Sequence, residues 1–396
     1  MKNYLKTHKP SECCGCSACA NICSKQSIIM QPNEEGFLYP IKNTETCIDC
    51  GLCEKVCPFS SNYSFETTDK PLVYAAYDKY YRIGSSSGGI FVTLSKYVIE
   101  QEHGWVFGAA FDTKFQLHHE GVSRMEDLTK LRGSKYVQSR MGDIYRKIKL
   151  LLNDGIYVFF VGTPCQVAGL RSFLRKDYDN LLLADLVCHG VPSQMLFDEH
   201  VKYLEKKYNA TLTSYQFRKG DGWGVCEIAD FANPEKHKTL PSYHLSPYLH
   251  SFIDAMTYRE SCYDCKFAKI PRQGDITLAD YWGVTTFFPD LDSSKGVSLV
   301  LTNTSKGEKV FKIASKDCIT RVSNIKDASL FNGNLIKRSK RPAIRDGVYN
   351  MINKDGYAKV AKKHFRPKNY LLVYIKSKLL DSPLIYKLNL MIRHRK

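Results

Sequence analysis

The chain lacks most of the features that decide a protein's class at a glance. No uninterrupted apolar run approaches the ~18 residues of a membrane-spanning helix, and the segment Met1 to Cys16 has no apolar core of a secretory signal. Neither a Walker A sequence nor a G-x-G-x-x-G fingerprint occurs. No internal repeat is present apart from one cysteine spacing. Acidic residues are scarce relative to basic ones, 40 Asp and Glu against 57 Lys and Arg. That shortage is local. From Lys337 to Lys396, 17 Lys or Arg face three acids (Asp346, Asp355, Asp381), so this segment carries +14 of the net +17. The body is therefore not strongly basic, and with no recognition motif beside the charge no nucleic-acid partner is expected. A length of 396 residues, 43% hydrophobic and 24% charged, allows two or three domains around substantial cores.

Cysteine, by contrast, is abundant, at 15. In a long chain without a leader this predicts a reducing, cytoplasmic setting with thiolates kept for metal. Eight of the cysteines form two copies of C-x2-C-x2-C-x3-C: Cys13, Cys16, Cys19, Cys23 and Cys47, Cys50, Cys53, Cys57, the second followed by Pro58. This is the spacing of bacterial ferredoxins with two 4Fe–4S clusters, in which the last cysteine of each run serves the other cluster. It predicts Cys13, Cys16, Cys19 and Cys57 around one cluster, and Cys47, Cys50, Cys53 and Cys23 around the other. Structural zinc or disulfides are the bland alternatives. Ser24 stands where the trailing proline of the first run is usual, and Cys14 is spare.

After a polar linker, Ser60 to Lys70, strands and helices alternate. Strands are expected at Val106–Phe111, Ile156–Val161 and Leu181–Val187. Helices are expected at Ile90–Glu100, Ile144–Leu152 and around Phe197, Val201, Leu204 and Tyr208. Such alternation favours a partly parallel α/β core. Thr163-Pro164-Cys165-Gln166 reads as a capping box that sets Cys165 in the first turn of a helix. Cys188 ends the next strand, and Cys262-Tyr263-Asp264-Cys265 adds a pair. Together they make four thiols, enough for a third cluster, although the pair alone also suits zinc, a redox dithiol or coincidence. Cys226 and Cys318 read as ordinary buried cysteines, and His189 as a structural imidazole. Gly84-Ser85-Ser86-Ser87-Gly88-Gly89 before a helix can cradle phosphate or form a plain turn. Gly133-Ser134-Lys135-Tyr136 supplies a cation and an aromatic ring. Ile276 and Leu278 alternate with polar residues, as in a half-buried strand ending near Asp280 and Trp282, with Asp275 the other acid. Arg218, Lys219 and Trp223 can face an anionic substrate.

From Pro71 to Ser323 the sequence resembles the coenzyme F-420 hydrogenase/dehydrogenase beta-subunit family, fused to a two-cluster ferredoxin. The resemblance rests on Ser86-Ser87-Gly88-Gly89, Gly133-Ser134-Lys135-Tyr136, Gly162-Thr163-Pro164-Cys165-Gln166, Cys188-His189-Gly190, Ser261-Cys262-Tyr263-Asp264-Cys265 and Arg272 to Gly283. It implies FAD and a 4Fe–4S cluster in the core, with Cys165, Cys188, Cys262 and Cys265 as ligands. It points to Ser86, Ser87, Gly88, Gly89, Lys135 and Tyr136 as FAD contacts. Some relatives oxidise the reduced deazaflavin. A flavin suits three clusters on other grounds too, because it links two-electron hydride chemistry to one-electron carriers.

The expected architecture is α+β or α/β. A ferredoxin module spans residues 1–60, a mixed, partly parallel flavin and iron–sulfur core spans 71–335, and a helical basic tail spans 336–396. The expected function is a flavin-dependent iron–sulfur oxidoreductase that exchanges a hydride with an organic molecule and passes single electrons through its clusters. The alternative is an electron-transfer module in a larger complex, without substrate chemistry of its own. Its partner would be a redox protein or a small hydride donor or acceptor. The tail from Tyr370 to Ile392 can rest on an anionic membrane surface, dock an acidic partner or cover the core. Acid–base residues, the substrate and the oligomeric state are not assigned by the sequence.

Overall fold

The computed structural model describes residues 3–60, 65–219, 223–240 and 242–380. The strands among these residues are β1 (Ile28–Pro32), β2 (Leu38–Lys42), β3 (Leu72–Tyr77), β4 (Trp105–Phe111), β5 (Leu117–Val122), β6 (Val158–Gly162), β7 (Leu181–Leu186), β8 (Thr211–Arg218), β9 (Val225–Ala232), β10 (Lys236–Leu240), β11 (Ile276–Asp280), β12 (Ser298–Thr302) and β13 (Ile319–Ser323). Eight of them form one mixed sheet in the order β13-β3-β12-β11-β7-β6-β4-β5. The inner strands β4, β6, β7 and β11 run parallel, and the flanks are antiparallel. The fold is thus mixed α/β.

Sequence explains the parallel centre. β6 and most of β7 are continuous apolar runs, which a sheet covered on both faces requires. β11 differs from its expected half-burial. It lies between β7 and β12, so Thr277 is as buried as Ile276, and its hydroxyl donates to Asp185 at 2.7 Å. Asp185 also accepts from buried Arg272 and from the backbone N–H groups of Gln273 and Gly274. The conformation of the crossover into β11 is thereby fixed from inside. The helix after Gly89 begins as expected but ends in a π-helical turn, Tyr97–Gln101.

The N-terminal module comprises the β1–β2 hairpin and the short helices Ala18–Ile22 and Leu52–Lys55, each preceded by a cysteine loop. Two arginines dock it on the core. Arg259 is fully buried, donates to the carbonyls of Cys13 (2.6 Å) and Leu38 (3.0 Å), and packs its guanidinium on Tyr39. Arg146 donates to the carbonyls of Ala20, Asn21 and Cys23, a cation at the end of the Ala18–Ile22 helix. Gly169 makes the approach possible. A Cβ there would lie 2.9 Å from the Cys16 sulfur and 2.9 Å from the Tyr145 hydroxyl.

The basic tail begins as part of the body. Helices Val348–Asp355 and Tyr357–His364 bury Val348, Tyr349, Ile352, Tyr357 and Val360 against Phe197, Tyr215 and Tyr248. Their lysines point outward, the usual division of an amphipathic helix. Helix Tyr370–Leu380 exposes Leu371 and Leu372. The rest of the expected tail segment, 381–396, lies outside the described residues. Among the described residues, no helix is long and apolar enough to cross a membrane.

Candidate functional site

Three parallel strands deliver their C-terminal ends to one place. β6 runs into Thr163-Pro164-Cys165, β7 into Cys188 and His189, and β11 into Asp280 and Trp282. The crevice beyond such strand ends is where open α/β sheets bind ligands. A cavity of about 840 Å³ occupies it, within the range of cofactor pockets. The capping box forms: the Thr163 N–H donates to the Gln166 side chain at 2.9 Å, and Tyr145 donates to the Gln166 carbonyl at 2.7 Å. Cys165 is thereby held in the first turn.

Cys165, Cys188, Cys262 and Cys265 all line this cavity. Burial and its neighbours Cys165 and Cys265 push Cys188 up to about 12. Burial and the same surroundings raise Cys262 and Cys265, and the Cys14 thiol together with burial raises Cys165. Thiols packed like this release their protons only against strong positive charge, such as iron supplies. Among the described residues, no three His, Cys, Asp or Glu are drawn together as a single ion would require. A cubane, with iron and sulfide between its ligands, holds them further apart.

The N-terminal cysteines separate into an inner and an outer group. Cys13, Cys16, Cys19 and Cys57 border one small cavity, the set expected from the crossed ferredoxin pattern. Burial and the proximity of Cys13 and Cys57 raise Cys19. Cys47, Cys50 and Cys53 occupy the outer loop, where Cys50 is exposed. Cys23 closes the Ala18–Ile22 helix. Cys14, spare by spacing, is buried between the two cysteine groups. It neighbours both Cys16 and Cys165 and borders both cavities, as does Phe59.

Of the expected FAD contacts, Ser86, Ser87, Gly89, Lys135 and Tyr136 line the large cavity. Gly88 faces the sheet instead. A Cβ there would lie 2.3 Å from the Ala76 carbonyl, so glycine is demanded by packing. The two small-residue loops meet, the Ser134 N–H donating to the Ser86 hydroxyl at 2.8 Å. Gly133, at φ +85°, leaves open space beside Ser86. The Lys135 ammonium turns back to the carbonyls of Leu131, Arg132 and Gly133 (3.3, 2.8 and 3.2 Å), and burial pushes it down to about 8.

Arg218 forms a fork on Asp280 (2.9 and 3.1 Å), donates to the Ser86 carbonyl and the Tyr136 hydroxyl, and keeps its Nε without a partner. Asp280 also accepts from the Trp223 indole, and Trp223 stacks on Trp282 with ring centres 5.0 Å apart. Trp282 reaches the cavity and Trp223 stands behind it, while Lys219 is exposed and away from the lining. Asp275 is structural, pairing with Arg171 and accepting from the Leu183 N–H. His189 lines the cavity, and burial lowers its pKa. Cys226 is buried on β9, and Cys318 packs near Thr93 and Asp78.

Residues not singled out from sequence also line or support the site. Arg132 donates to the carbonyls of Tyr81 and Ile83 and to Ser85, and its Nε has no partner. His119 lies between Ser139 (2.7 Å) and the Val161 carbonyl (3.1 Å), and burial pushes it down to about 4. Neither belongs to a motif, so only its position marks it.

Residues 157–328 match the family described as the C terminus of the coenzyme F420 hydrogenase/dehydrogenase beta subunit, and residues 12–61 match the 4Fe-4S dicluster domain. The chain joins a 4Fe–4S dicluster module to a core of that beta-subunit family. It is thus an iron–sulfur protein of an oxidoreductase family. The first of these matches contains Cys165, Cys188, Cys262 and Cys265, and the dicluster match contains all eight N-terminal ligand candidates. Among solved structures, a chain of the F420-reducing [NiFe] hydrogenase complex from Methanosarcina barkeri, from a xenon-derivatization study, is similar. It is 16% identical, with a TM-score of 0.44, over 76% of this chain and 92% of that one. No curated protein matches.

Proposed function

We propose that the α/β core binds FAD beside a third 4Fe–4S cluster, and that the protein is a flavin-dependent iron–sulfur oxidoreductase. It would exchange a hydride with an organic donor or acceptor, the reduced deazaflavin F-420 being one candidate. One observation carries the reading. A single cavity is lined both by the Ser85–Ser87 and Gly133–Lys135 loops and by the four core cysteines, and Cys14 connects it to the dicluster module.

The lining suits such a group. Ser86, Ser87 and the open side of Gly133 would meet a pyrophosphate, and the unpartnered Nε donors of Arg132 and Arg218 are available to anionic oxygens. Flavin converts paired-electron chemistry into single-electron steps. The chain's own residues do the rest. Tyr136, fixed by stacking on Phe252 at 4.4 Å and by Arg218, gives a rigid wall. Arg218 and Asp280 neutralise each other, so the wall adds little net charge. Phe59, Phe267 and Leu278 exclude water near the cysteines. Lys135 holds its proton between three carbonyls, where a nearby developing negative charge would be stabilised.

The test is cofactor analysis of anaerobically purified full-length protein. About 12 irons per chain and one acid-released FAD are expected, and Cys165→Ala should fall to about eight irons. Eight irons and no flavin in the unaltered protein would reject the reading in favour of a simple electron relay.

A further inference from the structure

The two ends of the dicluster module are unlike. Its inner end is closed: Cys16 is 7% exposed and packs against Gly169. Its outer end is open. Cys50 is exposed, and three large aliphatic side chains stand in water around it, Ile48 at 61%, Ile29 at 51% and Ile41 at 45% exposure. Ile29 and Ile41 are direct cross-strand neighbours on the β1–β2 hairpin. A Lys42–Asp49 pair (3.0 Å) ties that end of the hairpin to the loop bearing Ile48, and Lys42 also lies near the thiols of Cys47 and Cys53.

We propose that this outer end is the docking face for a one-electron carrier protein, with Ile29, Ile41 and Ile48 framing the outer cluster. The inference rests on the dicluster module and is independent of the flavin. Two observations select the occupant. The first is size. Three partly exposed isoleucines present roughly a few hundred Å², enough for a functional patch. That is far short of the ~1,000 Å² of a lasting interface, and weak redox encounters occupy the small end of the range. A stable second copy of this chain does not fit. The second is charge. Lys42 is matched by Asp49 and Lys6 by Glu54 (2.6 Å), leaving Lys25 and Lys55 against Glu45. The face is close to neutral in a protein of net charge +17, so apolar contact and not long-range steering selects the partner. In each encounter one electron leaves the reduced outer cluster and the partner's centre gains it.

Flavodoxin, a one-electron carrier with an exposed flavin edge, is the probe. Full-length holoprotein is reduced with dithionite, freed of excess reductant and mixed in a stopped-flow cell with oxidised flavodoxin, whose flavin takes the electron together with a solvent proton. The small dye dichlorophenolindophenol serves as an acceptor that needs no docking face. For Ile29→Asp/Ile41→Asp, the flavodoxin rate constant should fall at least about tenfold, with the dye rate and iron content unchanged. Raising salt from low to ~0.5 M should change the unaltered rate by less than roughly threefold. An unchanged flavodoxin rate, a parallel fall with the dye, or a much steeper salt dependence would overturn the proposal. So would a sedimenting dimer that the double substitution dissolves. The milder Ile41→Gln, which spares the hairpin, should still slow flavodoxin by about threefold, and no slowing would count equally against the proposal.

Discussion

The protein gathers cysteines in two different ways. In the dicluster module the ligand candidates arrive in short runs, Cys13 to Cys23 and Cys47 to Cys57, so local loops do most of the gathering. In the core the same chemistry is assembled from Cys165, Cys188 and Cys262-Cys265, a hundred residues apart at the extremes, and nothing brings them together until the parallel strands align. A motif that closes on itself needs little from the rest of the chain. A convergent site inherits the stability of the sheet, and its surroundings reflect this: Asp185 with Arg272, Asp275 with Arg171, and the capped helix at Thr163.

The sharpest way to separate the two regions is Gly169→Leu. Its side chain would occupy the space of the Cys16 sulfur, so the module should lift from the core at a cost of about 3 kcal/mol. Limited proteolysis should then cut between the two, with the core's iron retained. Unaltered protease resistance would mean the contact is dispensable. Arg259→Met should act in the same direction but less strongly. It strands the carbonyls of Cys13 and Leu38 without donors, for about 2–3 kcal/mol, readable as a lowered urea midpoint.

Acid should distinguish the core from the module. Burial holds His119 at about 4, below the ~6.5 of an unfolded histidine. The unfolded chain therefore takes up a proton that the folded one refuses. The core should keep full stability above pH ~6.5 and lose roughly 2 kcal/mol between pH 7.5 and 5. In urea melts His119→Asn should flatten this acid limb relative to the unaltered protein, and an identical slope would exclude His119 as its source. The smallest effect is expected for Arg338→Ala. That residue pairs with Asp264 beside Cys265, but both side chains are more than half exposed, so the change should stay under ~1 kcal/mol in thermal unfolding.

Much of this was legible in the sequence. The strands Trp105–Phe111, Val158–Gly162 and Leu181–Leu186 and the helices Ile144–Asn153 and Gln194–Tyr208 follow apolar periodicity to within a residue or two. The Thr163 capping box is a local signal and forms as read. The burial of β11 was not legible, because Thr277 looks polar until Asp185 takes its hydroxyl proton. Arg132, His119 and Arg259 carry no motif. Cys14 was set aside by spacing, and only the docked module shows that it lies between two cysteine groups. The tail's charge was plain, but its buried stripe of Tyr349, Ile352, Tyr357 and Val360 acquires meaning only beside Phe197 and Tyr248.

By itself the sequence determined the elements, the two cysteine runs and the caps, since each depends on neighbours a few residues away. Tertiary structure decided which distant thiols meet, which glycines face open space and which face backbone, and which end of the dicluster module lies in water. Those outcomes depend on close approach between segments that share no sequence neighbourhood, and sheet pairing and burial alone set such distances.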